Sequence, residues 1–123
     1  MNVLLDTHII LWWLNDDSNL IDTHREIISD INNLCYISAA TIWEISIKSK
    51  LGKLKIDANY IDEIRKDGFL ELPINWIYSN HVKKLPLLHT DPFDRLLIAQ
   101  AQIENLTLLT VDNNIKKYKI KVS

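Results

Sequence analysis

Asn2-Val3-Leu4-Leu5-Asp6 is the stretch that decides the architecture. From Asn2 to Leu5 it is a short apolar run without polar alternation, ended by Asp6, which is the pattern of a central parallel strand buried on both faces. Thr7 to Leu14 follows at once and is apolar nearly all round, as suits a helix clamped in the interior or against a partner. Working outward, Asn15 to Asn19 is a polar loop, and Leu20 to Asn32 sets Leu20, Ile27, Ile28 and Ile31 at helical spacing with Ser18 or Asn19 as cap. Cys35 to Ser38 reads as a second strand. Ser38 or Ala39 then opens a long helix carrying Trp43, Ile47 and Leu51 and ended by Gly52.

The same alternation continues to the end of the sequence. Asp57 to Asp67 is a helix stopped by Gly68, Phe69 to Leu72 a strand broken by Pro73, and Asn75 to Val82 helical. Asp91-Pro92 starts the clearest helix, running through Ile103, and Leu106 to Val111 returns to strand. Tyr118 to Val122 alternates as an edge strand with one wet face does. Strands and helices in this order predict an α/β/α sandwich, three layers on a mostly parallel sheet, and 123 residues predict a single domain over residues 1–123.

Composition narrows the function. With 14 Lys+Arg against 16 Asp+Glu, the net charge of -2 does not describe a general polyanion-coating protein. Only Gly52 and Gly68 occur, so no glycine-rich phosphate loop can be written, and kinases and dinucleotide enzymes drop out. The longest apolar stretch, Ile9 to Leu14, is far short of the roughly 20 residues of a membrane span. No leader pattern precedes it, and the single Cys35, expected to be a buried thiol, fits a reducing compartment. A soluble, cytoplasmic protein is expected.

In open α/β sheets the loops at the carboxyl ends of the strands converge on one crevice. Asp6 ends the first strand, Asp112 follows the last long one, Asp94 lies in the first turn of the preceding helix, and Glu44 lies in the helix after the second strand. Each acid also has a plainer use. Asp91 suits the N-cap of its helix, with Pro92 at N1, and Asp6 and Asp112 suit caps as well. Glu44 has Lys48 four residues on, a pair worth about 0.2 to 0.5 kcal/mol at a solvated surface. Should the four meet, oxygen donors without a Cys or His cluster at zinc spacing suit Mg²⁺ or Mn²⁺, and such a pocket becomes a phosphodiester site. Without them the remainder holds 14 basic against 12 acidic residues, so the protein need not repel RNA.

Val3-Leu4-Leu5-Asp6-Thr7-His8, Ser38 to Ile45 running on to Lys50-Leu51-Gly52-Lys53-Leu54, His89 to Ala101, and Leu108-Leu109-Thr110-Val111-Asp112 together resemble PIN-domain proteins, and among them the VapC-type toxins of bacterial toxin-antitoxin pairs. The four segments span nearly the whole chain in the family's order. The resemblance implies a PIN-like fold and a Mg²⁺-dependent endoribonuclease, with Mn²⁺ able to substitute. Asp6, Glu44, Asp94 and Asp112 would form its acidic quartet. It assigns metal most directly to Asp6 and Asp94, with Glu44 and Asp112 completing the pocket through water or a second ion. It further implies an RNA substrate, a homodimer, and a cognate antitoxin whose tail covers the site.

Supporting positions follow. Thr7 can hydrogen-bond a carboxylate or cap its helix, and Arg95 can clamp a phosphate or pair with an acid. His8 and His89 have a possible role with a proton or a phosphate, against a structural one. Lys48, Lys50, Lys53 and Lys55 can track an RNA backbone or form a solvated basic face. Of Trp12, Trp13, Trp43 and Trp76, most are expected in the core, with Trp12 or Trp13 at a subunit or antitoxin interface. The rival to an enzyme is a catalytically silent PIN-like module for RNA or protein binding. A phosphate-receiving domain is disfavoured because Asp6 has no acidic neighbour.

Overall fold

The computed structural model describes every residue from Met1 to Ser123. Its strands are β1 (Asn2–Leu5), β2 (Leu34–Ser38), β3 (Leu70–Leu72), β4 (Thr107–Leu109) and β5 (Lys121–Val122). Its helices are α1 (Thr7–Leu14), α2 (Asp22–Ser29), α3 (Ala39–Lys50), α4 (Tyr60–Lys66), α5 (Trp76–His81) and α6 (Pro92–Glu104). The strands form one five-stranded sheet in the order β3-β2-β1-β4-β5, with every pair parallel. β1 is central, and Val3, Leu4 and Leu5 are fully buried, as their unbroken apolar run predicts.

The pleat divides the core in two. Leu4 and Leu108 face a cluster with Leu97, Ile98 and Ala101 of α6, while Val3, Leu5 and Leu109 face a second cluster with Ile9 and Ile10 of α1 and Ile64 of α4. Register sets up the site. Leu5 pairs with Leu109, so the next residues, Asp6 and Thr110, stand side by side at the carboxyl edge. β2 runs parallel on the other flank of β1 and delivers α3 to the same edge.

Several elements are shorter than their sequence pattern. α2 begins at Asp22 behind Ile21, which makes no side-chain cap, so Ser18 and Asn19 do not open it. It ends at Ser29, because Asp30 turns the chain by accepting from Asn32 N, and this leaves Ile31 95% exposed rather than on a buried stripe. α4 starts only at Tyr60, and the strand at Leu106 to Val111 reduces to Thr107–Leu109. The alternating tail is also cut back: Ile115–Lys117 forms a 3-10 turn, Tyr118 is buried, and only Lys121–Val122 pairs. α6 matches closely. Asp91 accepts from Phe93 N and Asp94 N as N-cap, Pro92 opens the helix, and Asn105 ends it at φ 55°.

α3 is turned differently from its apolar stripe. Ala40, Thr41, Glu44 and Ile45 are buried, whereas Trp43, Ile47 and Leu51 are exposed. None of the four tryptophans is fully buried: Trp12 and Trp13 are half-buried, Trp43 is exposed, and Trp76 is 92% exposed. The expectation that most would lie in the core is therefore corrected. The interior is filled mostly by aliphatic side chains, and of the indoles Trp12 and Trp13 pack against the second cluster from outside it. Cys35 is buried as expected. No helix is long and apolar enough to cross a membrane.

Candidate active site

The carboxyl edge of the sheet gathers acids from four segments of sequence. Asp6 follows β1 at 3% exposure, and its backbone carbonyl accepts from Ile9 and Ile10 at the start of α1. Its side chain makes no capping bond. Instead Asp6 Oδ2 accepts from Thr110 Oγ1 at 2.7 Å, and the same Thr110 oxygen accepts from Asp112 N at 3.0 Å. One hydroxyl thus ties the turn after β1 to the turn after β4. Burial pushes the Asp6 carboxyl above its ordinary range, the Thr110 bond and the nearby charge of His8 oppose this, and Asp112 adds to it.

Asp94 sits in the first turn of α6 with Oδ2 2.7 Å from His89 Nε2. Burial and then the charge of Asp6 push Asp94 up to about 7, against the opposing His89 hydrogen bond. Asp112 Oδ2 lies 3.8 Å from the same His89 nitrogen, and Asp112 Oδ1 accepts from Asn114 N. Ligand atoms of His89, Asp94 and Asp112 all lie within 4.8 Å of one another, close enough to share one cation. The donor set is oxygen with a single imidazole nitrogen, so the expectation of oxygens alone is widened by His89. That set fits Mg²⁺, and Mn²⁺ more readily still once nitrogen is included.

Glu44 reaches the edge from α3 with its side chain 7% exposed. Thr7 Oγ1 donates to its Oε1 at 2.7 Å, and the Thr7 and Thr41 hydroxyls lie 3.3 Å apart. Lys48 Nζ donates to its Oε2 at 2.6 Å, which, with the nearby charges of Asp91 and Asp94, holds the ammonium above its ordinary range. The Glu44–Lys48 pair read from spacing is present, but it is no solvated surface pair, because the carboxylate is buried.

The other positions divide sharply. Asp91 has Oδ1 committed to capping α6. Arg95 is buried and clamps no open surface: its Nη1 donates to the carbonyls of Pro86 and His89 and to Tyr118 Oη, and its Nη2 to those of Val82 and Leu85. Both sequence readings of Arg95, phosphate clamp and partner of an acid, are corrected to a buried fastener of the Val82–His89 segment, which presents His89 to Asp94. Lys50 and Lys53 are exposed on and just beyond the end of α3. Thr110 was not singled out from sequence, because its role depends on the β1–β4 register.

A parallel α/β/α sandwich that collects Asp6, Asp94 and Asp112 in mutual repulsion at one carboxyl edge is a protein with an acidic centre. The chain belongs to the PIN domain family, whose family model matches residues 3–121. It is 32% identical over 68 residues to Ribonuclease VapC16 of Mycobacterium tuberculosis. That alignment takes in 52% of this chain and 48% of the relative, so the chain matches about half of that relative's length. Among solved structures it is similar to VapBC2 from Rickettsia felis, bound to a DNA fragment from their promoter, with TM-score 0.74 and 18% identity over 100% of this chain and 98% of that one. It is also similar to VapBC-1 from nontypeable Haemophilus influenzae, with TM-score 0.62 and 21% identity over 100% of this chain and 97% of that one. At these identities the two structures bear on the fold.

Proposed function

We propose that this PIN domain is a Mg²⁺-dependent endoribonuclease and the toxin of a toxin-antitoxin pair, with Asp6, Glu44, Asp94 and Asp112 as its acidic centre. One observation carries the reading. Asp94 is buried against Asp6 and His89 so that its carboxyl is pushed up to about 7, a cost that a bound cation offsets. The similarity to a protein named as a ribonuclease supports the substrate class. A divalent ion held by Asp94 and Asp112, with His89 as the nitrogen donor of the set and Asp6 alongside, would supply Lewis-acid stabilisation of a phosphodiester and a nucleophile at neutral pH.

The chain's own residues do the rest. Thr110 fixes the orientation of Asp6 by holding Oδ2, and fixes the turn that carries Asp112. Without a metal, His89 holds Asp94 in place through Nε2. Arg95 and Tyr118 brace the segment that carries His89. Thr7 and Lys48 hold Glu44 in place. Exposed Lys50 and Lys53 offer positive charge to an RNA backbone. Trp43, Trp76 and Ile77 leave apolar surface for protein partners, an antitoxin and a second copy of the chain.

The test is cleavage of structured RNA by the purified protein freed of any partner. Cleavage with Mg²⁺ or Mn²⁺ is expected, EDTA abolishes it, and Asp94→Asn loses it while keeping the native circular dichroism spectrum. Undiminished cleavage by the folded Asn variant removes the mechanism. Growth arrest on expression, relieved by Asp6→Asn, separates a toxin from a catalytically silent binding module, which is harmless in both forms or equally harmful in both.

A further inference from the structure

The acidic pocket has two unlike halves. Asp6, Asp94 and Asp112 stand with His89 and hydroxyl or amide donors, and no lysine or arginine is bonded to any of them. Glu44 is already neutralised. Its Oε2 takes the Lys48 ammonium at 2.6 Å and its Oε1 takes the Thr7 hydroxyl at 2.7 Å, at 7% side-chain exposure. The ligand atoms that close to within 4.8 Å belong to His89, Asp94 and Asp112; Asp6 and Glu44 both stand outside that set, and what separates Glu44 from Asp6 is the ammonium bonded to its carboxylate.

We infer that Lys48 is a positioning residue that takes the place of a second metal ion, so that the pocket is built for one divalent cation and Glu44 is held out of its ligand set. The inference rests on the proposed divalent-metal site and decides how many ions that site takes. The physical argument is competition for one carboxylate. A charge-assisted bond to a largely buried acid is short and strong, and in α3 the i to i+4 spacing delivers Lys48 with its stem along the helix and its head at the pocket. With the Lys48 ammonium on Glu44, the four carboxylates leave a net negative charge that one divalent ion largely balances, whereas a second ion at Glu44 turns the sum positive with the ammonium pressed against it. The first ion meets no such obstacle between Asp94 and Asp112. Thr7 adds to the arrangement, because its hydroxyl fixes the other Glu44 oxygen.

The experiment is Mn²⁺ titration of the full chain, by calorimetry and by electron paramagnetic resonance of free ion, with RNA cleavage measured in parallel. Wild type is expected to bind one Mn²⁺ per chain, Lys48→Gln two, and Lys48→Arg one, since arginine restores the cation. Glu44→Gln is expected to keep the single site within about threefold in affinity, whereas Asp94→Asn weakens it by roughly 10-fold or more. Two tight ions in wild type, or one in Lys48→Gln, overturns the inference. Cleavage with two ions bound leaves the nuclease reading standing. One ion without cleavage removes that reading and keeps the stoichiometry, and no bound Mn²⁺ removes both.

Discussion

Asp94 and Arg95 are neighbours in the first turn of α6, both largely buried, and the fold treats their charges in opposite ways. The Arg95 guanidinium is spent on the carbonyls of Val82, Leu85, Pro86 and His89 and on Tyr118 Oη, so both terminal nitrogens of a cation inside the protein are bonded by the chain itself. Asp94 has only His89 on its carboxylate, faces the charge of Asp6, and is pushed up to about 7. A satisfied buried charge fastens structure, because removing it leaves acceptors bare. An under-satisfied one stores unfavourable energy that a ligand relieves. The same sorting separates Asp91, committed as a helix cap, from Asp6, which caps nothing with its side chain.

Substitution at α6 tests that contrast most strongly. Asp94→Asn removes the charge of a proposed metal ligand, and RNA cleavage is expected to fall on the order of 10³-fold, a loss of transition-state charge stabilisation. The same change relieves repulsion with Asp6, so in EDTA at pH 8 the variant melts above wild type. Arg95→Met is expected to do the reverse. It costs roughly 2 to 3 kcal/mol in urea unfolding by stranding buried carbonyls, and it makes the Val82–His89 segment an early site of proteolysis. If Arg95→Met keeps its stability while losing cleavage, Arg95 belongs with the chemistry and the contrast fails.

The pH dependence sharpens it further. The folded-state carboxyls of Asp94 and Asp6 lie above their unfolded values, and for Asp94 this means that between the unfolded value near 3.8 and about 7 the native protein binds a proton that the unfolded chain does not. Their contribution to metal-free stability therefore falls as pH rises through that window, and the penalty is complete above it. Melting in EDTA is expected to move several degrees higher from pH 8 to pH 6, and Mg²⁺ at pH 8 is expected to recover the difference. Asp94→Asn should flatten the curve, and an unchanged slope would show that Asp94 does not carry it.

How much of this was legible depends on range. α6 was readable almost to the residue, because Asp91, Pro92 and Asn105 act on their own helix ends. β1 was readable because three buried apolar residues in a row leave no wet face. The orientation of α3 was not. Trp43, Ile47 and Leu51 form the more apolar stripe, yet the helix buries the face with Glu44; Lys48 was readable from its i to i+4 spacing, but Thr7, the partner that the folded chain brings near, was not. Thr110 was hidden for the same reason: it meets Asp6 through strand pairing, across 104 positions of sequence. Arg95 misled because an arginine beside a candidate metal ligand looks available until the carbonyls around it are known.

The smallest expected effect concerns a third treatment of charge, the solvated lysines at the end of α3. Lys50 and Lys53 are exposed and bond to no acid, so neither fastens structure nor stores strain. Lys50→Ala with Lys53→Ala is expected to leave melting and kcat unchanged and to raise KM for RNA a few-fold at low salt. If both touch phosphates of a single strand, the slope of log K against log salt should shrink by about 0.7 for each lysine removed, because fewer counterions are released on binding. An unchanged slope would make this face ordinary solvated surface and leave substrate attraction to the charged groups nearer the acidic centre. Only a response to salt tells a lysine that meets RNA from one that meets water, since burial and hydrogen bonding, which sorted Asp94 from Arg95, are the same in both cases.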